Sequence, residues 1–122
     1  MFSYLEDYKK NPLSASPHLV MTCFDELLKT KGLALIRGDI IGNLSQDEGQ
    51  TILNMTLDNY LIDHFFQKVR MFNHQPGDFN YENFTKDAIM NFNSQLRNIT
   101  ATKDPVKDIG TPGKNDWNVW KP

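Results

Sequence analysis

The chain alternates between helix-like and ambiguous apolar patterns. Val20, Cys23, Phe24, Leu27 and Leu28 fall at spacings of three and four, behind Ser16-Pro17 and ahead of Lys29, Lys31 and Gly32. A capping hydroxyl followed by proline is a helix start, and basic residues before a glycine are a helix end. This pattern predicts a helix over 17–31. Ser45-Gln46-Asp47-Glu48 reads as a capping box in which serine and glutamate satisfy each other's backbone N–H groups. Helical spacing then continues through Ile52, Leu53, Leu57, Tyr60, Leu61, Phe65, Val69 and Phe72, predicting a helix over 45–73. Asn54, Thr56 and Asp58 are weak helix formers that allow a break near 54–57. Pro76-Gly77 makes a turn, Asp78 or Asn80 can cap the next helix, and Tyr81, Phe84, Ala88, Phe92 and Leu96 define that helix over 80–98. The short connector sets the last two helices antiparallel.

Leu33-Ala34-Leu35-Ile36 and Ile40-Ile41 are short apolar runs, which periodicity alone does not assign to strand or helix. They are read as a connector packed on the core, with Arg37-Gly38-Asp39 as a turn rather than an adhesion motif. Phe2, Leu5 and Tyr8 suit a short amphipathic helix in an N-terminal arm. The expected fold is therefore an all-α bundle of three main helices. The arm and connector span 1–16, the helical domain 17–100 and an extended tail 101–122. Its core draws on Val20, Phe24, Leu27, Ile52, Leu57, Leu61, Phe65, Val69, Phe84, Phe92 and Leu96.

Composition narrows the possibilities. At 122 residues and 39% apolar, one domain with a core needs neither disulfide nor metal, and there is a single cysteine. No apolar run reaches the length of a membrane span, and no secretory leader is expected from MFSYLEDYKK, which lacks a basic n-region and an apolar h-region. Thirteen basic and fifteen acidic residues leave a net charge of −2 with no basic stripe. Phosphate neutralisation supplies most of a nucleic-acid binder's affinity, so this balance disfavours such a role. Lys68, Arg70, Lys86 and Arg97, on the last two helices, make the alternative case for a helix-turn-helix-like DNA regulator.

Candidate chemistry is sparse. His18, His64 and His74 lack a second ligand at helical spacing, so no metal or other cofactor is expected. Cys23 is expected on the apolar face of helix 17–31, where thiols are inert. Asp58 and Asp63, five apart, do not share a face, and no phosphate-cradling glycine motif is present. The four Asn-x-Ser/Thr triplets at Asn43, Asn54, Asn83 and Asn98 reflect asparagine abundance rather than glycosylation. No catalytic residue is nominated, and the chain is read as a non-enzyme.

The tail holds both tryptophans. Indoles are costly to leave in water, and tails ordinarily carry small polar residues. Trp117, Val119, Trp120 and Pro122 are therefore the expected partner-binding residues. The reading is a small accessory subunit, inhibitor or adaptor that docks on a larger protein, with a homo-oligomer as another arrangement. Twelve asparagines and ten lysines suggest an AT-rich genome. Together with the arms, they suggest a cytoplasmic, phage or virion assembly setting.

Overall fold

A computed structural model describes residues 1–102 and the backbone of 117–120. Elements follow in the order α1 (Leu5–Lys10), β1 (Leu19–Phe24), α2 (Leu28–Lys31), β2 (Ala34–Ile40), α3 (Gln46–Leu61), α4 (Asp63–His74), α5 (Tyr81–Thr102) and β3 (Trp117–Trp120). The three strands form one antiparallel sheet in the order β1-β2-β3. The chain divides into two compact units within α3, the first ending at Gly49 and including β3, the second beginning at Gln50.

The all-α expectation is overturned by the sheet. The predicted helix 17–31 is β1 followed by the four-residue α2. Leu-Val-Met-Thr-Cys-Phe is an uncharged run that fits strand and helix alike, and β-branched and aromatic residues suit a half-buried pleated surface. The decision is tertiary, because Ala34–Ile40 lies opposite in register, with Leu19 facing Ile40 and Phe24 facing Leu35. The Ser16-Pro17 start signal goes unused. The end signal is real: Gly32 caps α2 at φ 63°, the left-handed region. Arg37-Gly38-Asp39 is no turn. It lies inside β2, where Arg37 and Asp39 point to one face and pair at 2.9 Å.

In the first unit, Leu19 and Ile36 are buried. The start of α3 lies over this sheet face at Gly49. A Cβ there would come 2.9 Å from Ile40 Cδ1 and 3.8 Å from Leu19 Cδ1, so only glycine fits without displacement. The N-terminal arm adds Phe2, whose N–H donates to the Leu19 carbonyl at 2.8 Å. His18 N–H donates to the Phe2 carbonyl at 2.8 Å, and the Tyr4 ring lies 4.0 Å from the His18 imidazole.

The capping box forms as predicted. Ser45 N–H donates to Glu48 Oε2 at 2.8 Å, and Glu48 N–H donates to Ser45 Oγ at 3.2 Å. The Ser45 backbone N–H foremost, and the Ser45 side chain after it, hold the Glu48 carboxyl below its usual value of 4.5. A depressed carboxylate contributes stability above its unfolded pKa and loses that contribution as pH falls through the folded value. Amide exchange in the first turn of α3 is therefore expected to accelerate as pH drops below about 4.5, after correction for intrinsic exchange. Glu48→Gln is expected to flatten that pH dependence while retaining a cap; an unchanged profile would remove Glu48 from this role.

The predicted helix 45–73 breaks at Ile62 rather than at 54–57. Thr56 stays helical by donating its hydroxyl to the Ile52 carbonyl at 2.8 Å. Ile62 is extended, at φ −102° and ψ 118°. Its N–H closes α3 on Asp58, and its carbonyl opens α4 by accepting from Phe65 and Phe66. The predicted helix 80–98 is α5, extended to Thr102. Asn80 caps it by accepting the Asn83 N–H at 2.9 Å.

Candidate partner-binding site

The second unit contains three helix segments whose apolar faces are incompletely covered. Thr51 and Leu53 of α3 are buried. No residue of α4 or α5 is buried, although these helices have 12 and 22 residues. The predicted core members Ile52, Leu57, Phe65, Val69, Phe84, Phe92 and Leu96 are half-buried, and Leu61 is exposed. Val20, Phe24 and Leu27 of the first unit are also only half-buried. An amphipathic helix is stable in water because its apolar stripe is covered. Here much of that stripe remains accessible.

Two hollows run along this surface. One, of 410 Å³, lies between α3 and α5 against Ile52, Met55, Phe84, Ala88, Ile89 and Phe92. The other, of 420 Å³, lies against Tyr60, Val69, Phe72, Phe79, Tyr81 and Phe84. Asn59, Tyr81 and Phe84 line both, so the hollows adjoin. The α4–α5 turn is built from aromatic packing. Phe79 meets Phe72 edge-on with ring centroids 5.1 Å apart and lies tilted against Phe84 at 5.3 Å. Polar ties hold the helices in place: Lys68 pairs with Asp87 at 2.8 Å, and Gln95 donates to Asp58 at 3.0 Å. The Lys68–Asp87 pair cancels charge beside the hollows, leaving aromatic and aliphatic area as the dominant feature. Phe72, Ile89 and Met90 stand largely in solvent.

The residues nominated for nucleic-acid binding do not converge. Lys68 is taken up by Asp87. Arg70, Lys86 and Arg97 are exposed on their helices and share no hydrogen bond or ion pair with one another. Cys23 is exposed in β1, not packed on a helix. His64 lies against the Phe65 ring at 4.0 Å. Among the described residues, no three His, Cys, Asp or Glu side chains are grouped as metal ligands. The side chains of Trp117, Val119 and Trp120, and all of Pro122, lie outside the described residues. The backbone places Trp117 opposite Arg37 and Trp120 opposite Ala34.

Sequence reasoning passed over Ile89 and Met90. The available signal was width: with Phe84, Ala88 and Phe92, Ile89 makes an apolar arc broader than one neighbouring helix covers.

Open apolar faces are a general mark of surfaces that other polypeptides cover, the kind of surface a protein-binding assembly factor needs. The chain belongs to the ATP11 protein family, whose model matches residues 1–85. This family comprises assembly chaperones rather than catalysts, and its members act by binding another protein. The match runs from α1 into the first turn of α5. No curated protein and no solved structure matches the chain. The family lends no support to a phage, virion or cytoplasmic setting. Among the described residues, no helix is long and apolar enough to cross a membrane.

Proposed function

We propose that this protein is an assembly chaperone that holds an unassembled subunit of ATP synthase. The setting is that of its family, the mitochondrial matrix. The observation that supports this reading most directly is the absence of any buried residue in α4 and α5. A subunit awaiting assembly exposes apolar surface that it will later bury against its neighbours. A chaperone covers such surface with apolar area of its own and releases it when a better-matched neighbour arrives. The hollows between α3, α4 and α5 offer that area. Trp117, Val119, Trp120 and Pro122 form a second contact in this reading.

The test is light scattering from the unassembled subunits of ATP synthase, each purified separately and diluted from denaturant. With this protein present in equal amount, scattering from one subunit is expected to be suppressed, and the two chains should elute together on gel filtration. Unchanged scattering from every subunit, with no co-elution, would overturn the proposal.

A further inference from the structure

Among the described residues, the outer edge of β1 carries an unfilled hydrogen-bonding row. β1 ends the sheet, with β2 on its inner side. Phe2 fixes which backbone groups face outward. Leu19 exchanges bonds with Phe2, accepting from its N–H at 2.8 Å and donating to its carbonyl at 3.4 Å. The His18 carbonyl, one residue earlier, accepts from Ile41 on the β2 side. Outward and inward groups alternate along a strand, so Met21 and Cys23 share the outward parity of Leu19. Their N–H and C=O groups have no hydrogen-bond partner among the described residues.

Exposed edges are ordinarily blunted by lysine, proline, a bulge or a covering loop. Leu19–Phe24 contains no charge and no proline, although 23% of the chain is charged. The covering contributed by the arm is a single bridge at Leu19. Asp25 and Glu26 stand just past the far end. The accessible row is therefore short, uncharged and bounded: Phe2 stops it at one end and acidic residues stop it at the other.

We propose that this edge accepts an extended, uncharged segment of the subunit that the protein holds, adding a strand beside Met21 and Cys23 by main-chain hydrogen bonds. The inference rests on the chaperone reading and adds a site distinct from the helical face. Only a strand repeats donor and acceptor at the two-residue spacing that Met21 and Cys23 present. Such recognition reads backbone rather than sequence, which suits a segment that will later pair elsewhere. A second copy of this chain fits less well. Antiparallel pairing about Thr22 would set the other copy's Phe24 beside Val20, the position into which Met1 continues from the Phe2–Leu19 bridge.

Amide exchange reads the site directly. In the free protein, Met21 and Cys23 amides are expected to exchange fast, while Thr22, whose amide faces β2, is protected. Adding the subunit captured in the scattering assay is expected to slow Met21 and Cys23 by roughly tenfold or more. Cys23→Pro removes one outward N–H and leaves the β1–β2 ladder intact, as edge strands tolerate. Its affinity is expected to fall about tenfold, through the lost bond and the intruding ring. Cys23→Ala keeps the N–H and is expected to bind as the wild type. If α4 and α5 gain protection on binding while Met21 and Cys23 do not, this inference is overturned and the chaperone reading stands. If neither region gains protection, the chaperone reading fails with it. Protection of both amides in the free protein, with sedimentation as a dimer, would assign the edge to a second copy and also overturn the inference.

Discussion

Replacing Leu19 with alanine is expected to destabilise the protein by about 2–5 kcal/mol, the range for a fully buried leucine. Leu19 is 1% exposed. It opens β1 opposite Ile40, accepts the Phe2 bridge on its outer side, and lies under Gly49. The cost depends on how far the surroundings collapse into the space left behind. Two of the surfaces around Leu19 resist collapse: the hydrogen-bonded sheet backbone, and the helix backbone at Gly49, which has no side chain to swing inward. The loss should therefore lie toward the upper part of that range. Urea unfolding followed by circular dichroism measures it. Val20→Ala, on the opposite sheet face, is expected to cost about 1 kcal/mol or less, because that side chain is half-exposed. An equal loss at Val20 and Leu19 would show that both sheet faces are core, contrary to this burial pattern.

That pair of residues also shows what was legible in the sequence. Helical periodicity selects Val20 and leaves out Leu19; strand parity does the opposite. Choosing between them requires knowing that residues 34–40 lie opposite, and no local signal carries that information. Some features decided within a few residues are legible, although the Ser16-Pro17 start and the Arg37-Gly38-Asp39 turn are not among them. The Ser45–Glu48 box, the Asn80 cap and the Gly32 terminus each depend on side chains meeting the nearest backbone groups. The helix break was misplaced because propensity marks weak positions without saying which is used. Thr56 stays helical by bonding its own turn, whereas Ile62 leaves the helix and still satisfies both flanking helix ends through its backbone. The binding face had a related difficulty. Periodicity identifies the apolar stripe of α5 through Phe84, Ala88 and Phe92, but a stripe waiting for a partner and one covered by its own chain look identical in sequence. The tryptophans drew attention because their setting was anomalous; Ile89 and Met90 did not, because apolar residues on a helix are ordinary.

Aspartate at both Phe72 and Ile89 is expected to abolish capture of the ATP synthase subunit while leaving the free protein nearly as stable as before. These side chains are 58% and 56% exposed, so little of their area contributes to folding. Surface changes of this kind usually fall within about 0.5 kcal/mol each. In a complex the same side chains would lose their contact with water. Central aromatic and aliphatic anchors often account for about 2 kcal/mol or more apiece, near thirtyfold in affinity, and a buried unpaired carboxylate adds a desolvation cost. Each residue lines or adjoins a different hollow, so the single variants separate their contributions: Ile89 reports on the trough between α3 and α5, and Phe72 on the one beside Phe79. Titration calorimetry with the captured subunit, paired with urea midpoints of the free variants, gives both quantities. Lys68→Ala is the contrasting substitution. It breaks the 2.8 Å pair with Asp87, whose side chain is about half exposed, and pairs of that kind contribute about 0–1 kcal/mol. It should therefore disturb neither measurement greatly. A steep loss of stability in the double variant, with affinity per folded molecule unchanged, would mean that the face between α3, α4 and α5 belongs to the fold, and the contact with the subunit would have to be sought on the sheet.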